Sequence, residues 1–195
     1  MGLFKKKILT KRRLQALTFV ALFIAISSAI ASIPSDTLIE FVGSENAYLL
    51  ILALGVIGAL TTFTGLPYHL ILMSFAAGGI NPIFLGISTA LGVMVGDSTM
   101  FVIGKKAQVA LPSNILTAIN TLPKYIDRYP RLFNPLLIAY GALSPLSNDF
   151  VVASLSIAGY SYRRVIIPLT IGNIFFNIMI AYLGLYAYDW ITQVL

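Results

Sequence analysis

Residues 46–96 read NAYLLILALGVIGALTTFTGLPYHLILMSFAAGGINPIFLGISTALGVMVG, without a single Asp, Glu, Lys or Arg. At Gly65-Leu66-Pro67-Tyr68-His69 this apolar run is interrupted, and the interruption carries the only histidine of the chain. A stretch so apolar belongs in hydrocarbon. Bare peptide groups are costly there, because lipid offers no hydrogen-bond partner. A second apolar run, Leu132 to Tyr162, is broken the same way at Ser144-Pro145-Leu146-Ser147-Asn148-Asp149, and between Leu132 and Tyr162 its one charged residue is Asp149. Two polar breaks at membrane depth point to a protein-lined cavity, of the kind that handles a solute or a lipid headgroup.

Composition sets the class. The chain has 195 residues, 58% of them hydrophobic and 10% charged, with a mean hydropathy of +0.89. Soluble domains carry about 25% charged residues, so a polytopic α-helical membrane protein is expected. A transmembrane β-barrel would alternate polar and apolar residues, and Leu49 to Leu60 does not. Cysteine is absent, which removes disulfides and thiolate metal sites. No cofactor and no metal are expected. Six of the thirteen basic residues are Lys5, Lys6, Lys7, Lys11, Arg12 and Arg13. Basic residues beside a first membrane helix fix orientation and touch anionic headgroups, so membrane lipids are the expected partners and nucleic acid is not. Leu14 to Ile33 is uncharged and long enough to cross a core of about 30 Å. A signal peptide is the rival reading, with Ala29-Ile30-Ala31 as cleavage site. Signal cores run only about 7–15 residues, so a retained anchor is expected.

Charge and parity then give a topology. The basic N-terminus is assigned to the cytoplasm. Pro34 to Asn46, with Asp36, Glu40 and Glu45, becomes an external loop. Lys105, Lys106, Lys124, Arg128 and Arg131 mark a cytoplasmic segment, and Arg163 and Arg164 a cytoplasmic turn. Between Asn46 and Lys105 the number of crossings must be odd. Ile83 to Ile103 is one clean span. Ala47 to Asn81 must therefore start and finish on the same side, and it is too short for two spans of about 20 residues. A re-entrant hairpin is expected, and a second one, entering from the opposite side, over Leu132 to Tyr162. The expected organisation is a basic N-terminus (1–13), an anchor (14–33) and a membrane domain (47–188). That domain comprises hairpin 47–82, span 83–104, cytoplasmic amphipathic segment 105–131, hairpin 132–162 and span 165–188. The fold class is thus all-α, a helical bundle with two opposed re-entrant hairpins in an inverted repeat. Pro67, Ala77-Gly78 and Gly92 run in the same order as Pro145, Ala158-Gly159 and Gly172.

Few residues can carry chemistry. His69 and Asp149 sit two and four residues past the hairpin prolines, and either could titrate, contact a headgroup or pair with the other. The bland alternatives are a histidine bonded to a freed carbonyl and a carboxylate capping the half-helix that follows. Asn148, Ser147 and Ser144 add uncharged donors, and the half-helix start offers free amides to an anion. Asp97 could line the cavity or pair with Lys105 or Arg131. Asn173 and Asn177, at i and i+4, read as interhelical contacts. Lys105, Lys106, Arg163 and Arg164 read as topology markers or headgroup contacts. With one histidine, no dyad in context, no two-His zinc motif and no Asp-rich phosphatidyltransferase signature, an enzyme is not expected.

These pieces resemble the DedA family, also called VTT-domain or SNARE-associated-Golgi-like membrane proteins. The matching residues are Gly65-Leu66-Pro67, Ala77-Gly78, Gly92 through Gly96-Asp97 to Phe101 and Gly104-Lys105, then Pro145, Ala158-Gly159 and Gly172, over roughly 47–188. The resemblance implies two opposed re-entrant hairpins. It also implies transport or scrambling of phospholipids or polyprenyl-phosphate carriers in a prokaryotic inner membrane, with proton or cation coupling. A homo-oligomer is compatible with it. The chain departs from the family pattern at the charged positions: His69 and Asn81 stand where acidic residues are usual, and Ala142 and Asn148 where arginines are. A non-transporting membrane scaffold that keeps the fold is the alternative expectation.

Overall fold

The structure is a computed structural model. It describes residues 18, 21, 24–26, 28–29, 32–60, 68–110, 112, 129–144 and 147–194. These residues form helices, and no strand occurs among them. In chain order the helices are α1 (Ser35–Val42), α2 (Ser44–Leu60), α3 (Tyr68–Ala77), α4 (Pro82–Ala110), α5 (Pro130–Leu143), α6 (Asp149–Ile157) and α7 (Tyr162–Val194). Among the described residues two stretches, Pro82–Gln108 and Tyr162–Ala187, are long and apolar enough to cross a membrane. The bent pair α1–α2 would make a third if it counts as one span.

Local chemistry sets the ends. Asn81 accepts the amides of Ile83 (3.0 Å) and Phe84 (3.3 Å) through Oδ1, and Pro82 opens α4 with its φ already helical. Helix α3 closes at Gly79, whose φ is +89°. Here the Ile80 amide reaches back to the Phe75 carbonyl at 3.1 Å, a Schellman closure that needs a left-handed residue. Helix α6 closes identically: Gly159 has φ +88°, and the Tyr160 amide bonds the Leu155 carbonyl at 3.0 Å. The equivalent of Gly159 is therefore Gly79. The sequence pattern had paired it with Gly78, because only the backbone conformation tells the two glycines apart.

Ring and glycine contacts fix the helix directions. Helix α2 runs parallel to α4. Tyr48 meets Phe84 edge to face at 6.3 Å, Gly55 lies on Thr89 and Gly92, and Gly96 lies on Ala59. Helix α5 runs parallel to α7, with Phe133 stacked on Tyr160 at 5.0 Å and Gly141 on Leu169 and Gly172. Helices α4 and α7 are antiparallel: Gly86 packs on Ile178, and the Ser98 and Tyr162 hydroxyls are 2.7 Å apart. The short helices cross over. Helix α3 follows α7, with His69 against Phe176 and Met73 against Gly184. Helix α6 follows α4, with Ser156 donating to the Phe101 carbonyl at 2.6 Å and Ala153 against Gly104. Glycine lets these backbones approach closely.

Several expectations change. The segment 34–46 is not merely a loop: it holds α1, whose Leu38, Ile39 and Val42 pack on the core while Phe41 points away. The spacing of those three apolar residues was the available signal. A 95° bend separates α1 from α2 at Gly43, which has φ +81°. The second long helix begins at Tyr162, so Arg163 and Arg164 lie in its first turn rather than in a loop. Within 14–33, the described residues 18, 21, 24–26 and 28–29 are helical and exposed. Of the expected amphipathic segment 105–131, residues 105–110 continue α4 and 130–131 open α5, while 113–128, like both hairpin prolines, Pro67 and Pro145, lies outside the described residues.

Candidate polar site between the spans

Asp97 lies fifteen residues into α4, about 22 Å along its axis, and Asn173 eleven residues into α7, about 16 Å along. Because the two helices are antiparallel, both side chains reach one level near the middle of the apolar stretches. Asp97 is 1% exposed, Asn177 2% and Asn173 5%. The start of α6 reaches the same level. Asn148 donates through Nδ2 to Asp97 Oδ2 at 3.0 Å and to Asn173 Oδ1 at 3.2 Å. The Asn173 amide group also approaches Asp97 Oδ2, at 3.5 Å. One carboxylate and two carboxamides thus tie three helices together where water is scarce.

Helix α3 brings the other half of the site. His69 stacks obliquely on Tyr68, with centroids 4.0 Å apart, and meets Phe176 edge-on at 5.7 Å. Its Nε2 is buried and has no hydrogen-bond partner among the described residues. Asn177 follows Phe176; its Nδ2 donates to the Asn173 carbonyl at 2.8 Å, and its buried Oδ1 has no partner there either. Native interiors leave few such atoms unpaired, so these two polar atoms on neighbouring elements are candidates for contact with a polar ligand.

The candidate residues separate into groups. The structure gathers Asp97, Asn148 and Asn173; Asn177 lies one turn further along α7, and His69 meets its neighbour Phe176. It does not bring His69 and Asp149 together as an ion pair. Asp149 Oδ2 instead accepts from the Ser147 hydroxyl at 3.0 Å, and the Asp149 amide donates to Ser147 Oγ at 3.3 Å. The reason is geometric. The two residues follow different long helices: His69 lies against Phe176 of α7, and the start of α6 lies against Asp97 of α4. Asp97 pairs with neither Lys105 nor Arg131; its partners are carboxamides, and both cations are exposed. Asp149 does not cap α6 with its side chain. Ser144 ends α5, its amide bonded to the Tyr140 carbonyl at 2.9 Å. Asn81 is an exposed helix cap at the far end of α4, away from the polar level. Lys105, Lys106 and Arg163 are exposed, whereas Arg164 lays its guanidinium over Phe133 at 4.9 Å and Tyr160 at 5.4 Å. Tyr68 was not among the sequence candidates; an aromatic in an apolar run carries no signal of what it faces.

No protein-family model matches this chain, and neither the curated proteins nor the solved structures contain one similar to it.

Among the described residues no three His, Cys, Asp or Glu side chains gather as a metal site would require. What the site offers is one deeply buried carboxylate without a cationic partner among those residues, two carboxamides beside it, and an imidazole nitrogen with no hydrogen-bond partner among the described residues.

Proposed function

We propose that this chain is an integral membrane transporter or lipid scramblase that moves a polar headgroup, of a phospholipid or a polyprenyl-phosphate carrier, past the level of Asp97. The observation that carries the reading is the cluster Asp97, Asn148 and Asn173, buried midway along two membrane-length helices. A carboxylate at that depth must hold a proton, meet a cation or line a polar path. Carboxamides and an unsatisfied imidazole can exchange their internal hydrogen bonds for bonds to a passing headgroup.

In this reading α2–α3 and α5–α6 are re-entrant hairpins entering from opposite leaflets, and the two halves form an inverted repeat. The recurrence of the Schellman closures and of the glycine crossings supports it. So does helix length: α3, with 10 residues, and α6, with 9, are too short to cross about 30 Å. Lys105, Lys106, Arg131, Arg163 and Arg164 gather at one end of the bundle, and Asp36, Glu40 and Glu45 at the other. The positive-inside rule then puts the basic end, and the N-terminus, in the cytoplasm of a prokaryotic inner membrane. The DedA-family resemblance points the same way.

The test is translocation of labelled phospholipid and of carrier phosphate in liposomes. Wild-type protein is expected to translocate, and Asp97→Asn and His69→Ala to slow it. Wild-type protein that translocates nothing removes the function, and variants with normal rates remove the site. The second reading, a scaffold that keeps the fold without transport, is favoured by one observation: Asp97 is already bonded internally. Folded protein with no flux in any lipid would establish it.

A further inference from the structure

Between α5 and α6 lies an apolar groove of about 610 Å³. Leu132, Leu136, Phe150, Val151 and Leu155 form half of its wall. It opens outward, since Leu136 is 65% and Phe150 78% exposed. We propose that this groove holds one hydrocarbon chain of an anionic membrane lipid, its headgroup seated on Arg164 and Arg131.

Three observations converge on that occupant. The first is length. The groove extends along α5 from Tyr129 to Tyr140, about 17 Å at 1.5 Å per residue, which is close to half of a 30 Å hydrocarbon core. If the arginine end lies at a headgroup level, the other lies near mid-depth. The second is closure of the deep end, where the Tyr140 hydroxyl donates to the Ser147 carbonyl at 3.1 Å and bridges the break between the two helices. The third is charge at the shallow end. Phe133 is a groove residue, and its ring carries the Arg164 guanidinium at 4.9 Å. Arg131 follows two residues after Tyr129, the rim residue. Neither arginine meets a carboxylate among the described residues. A guanidinium held by two aromatic rings keeps its donors free for a phosphate. An apolar slot that ends in two arginines fits a lipid that is anionic at one end and hydrocarbon along the rest. The inference needs only that the helices lie in a bilayer; it does not depend on transport.

The full chain is placed in nanodiscs of equal phosphatidylglycerol and phosphatidylcholine, released, and read by native mass spectrometry. The expected result is retained phosphatidylglycerol, preferred about fivefold for each engaged arginine. Arg164→Gln is expected to lose that factor while keeping phosphatidylcholine. Ser154→Trp, which fills the groove, is expected to lose both lipids, and Leu183→Trp, on an exposed face of α7, to lose neither. Should Ser154→Trp fail to fold, Leu136→Trp at the outward wall replaces it. Equal retention of the two lipids overturns the proposal, as does groove filling that changes no more than Leu183→Trp, or a dimer that carries no lipid. Retained phosphatidylglycerol in protein that translocates nothing supports the groove and removes only the transport reading.

Discussion

Replacing Gly172 by alanine is expected to destabilise the protein, against the ordinary preference for alanine in a helix. In an open helix the change would gain about 1 kcal/mol. Here the new Cβ collides with the Ile138 carbonyl oxygen and lies 2.9 Å from both the Ala142 nitrogen and the Gly141 carbonyl carbon. All three are backbone atoms, and none can swing aside as a side-chain tip could. Helices α5 and α7 must separate, at an overpacking cost of about 2–3 kcal/mol, leaving a net loss of about 1–2 kcal/mol. Gly92 meets the same situation on α4, where its Cβ would collide with the Leu52 carbonyl oxygen and lie 3.1 Å from the Val56 nitrogen. Gly92→Ala should cost a similar amount. The two crossings involve different neighbouring helices and share no partner, so the double variant should lose about 2–4 kcal/mol, the sum within about 0.5 kcal/mol. The assay is denaturant unfolding in mild detergent, followed by circular dichroism. A Gly172→Ala protein as stable as wild type would refute the argument, because it would show that α5 and α7 do not cross backbone to backbone.

Asn148→Ala removes two bonds that tie α6 to α4 and α7, and should lower stability by about 1–2 kcal/mol by the same unfolding assay. Combined with Asn173→Ala it should cost less than the sum of the two changes, since both alter one network; strict additivity would speak against a shared site. Ser156→Ala loses the buried bond to the Phe101 carbonyl and should cost about 1 kcal/mol, with no loss of headgroup selectivity in the lipid-retention experiment. Arg164→Lys should retain only part of the stability that Arg164→Ala loses, about 1 kcal/mol in all, because an ammonium cannot stack on two rings as a planar guanidinium does. Equal stability of the lysine variant and wild type would remove the stacking argument.

Much was legible in the sequence because burial in lipid is a property of composition. A run without charge from Asn46 to Gly96 can be read as membrane-embedded without knowing its partners, and several glycines mark where helices touch. The positions of Asp97, Asn148 and Asn173 could be named as polar residues in apolar surroundings. Their meeting could not, because it depends on α4 and α7 lying antiparallel with the start of α6 inserted between them. Whether His69 pairs with Asp149, one of the roles the sequence left open, could not be read for the same reason. Matching places after two prolines say nothing of which long helix each short one follows.

Sequence alone therefore determined the class, the broken apolar runs and the uneven distribution of charge, since these follow from transfer energies of individual side chains. Tertiary structure decided which polar atoms satisfy one another, which of two adjacent glycines bends left-handed, and that Arg164 stacks on Phe133 and Tyr160. Those outcomes depend on distances between segments far apart in the chain, and a single residue's solvation preference contains no information about them.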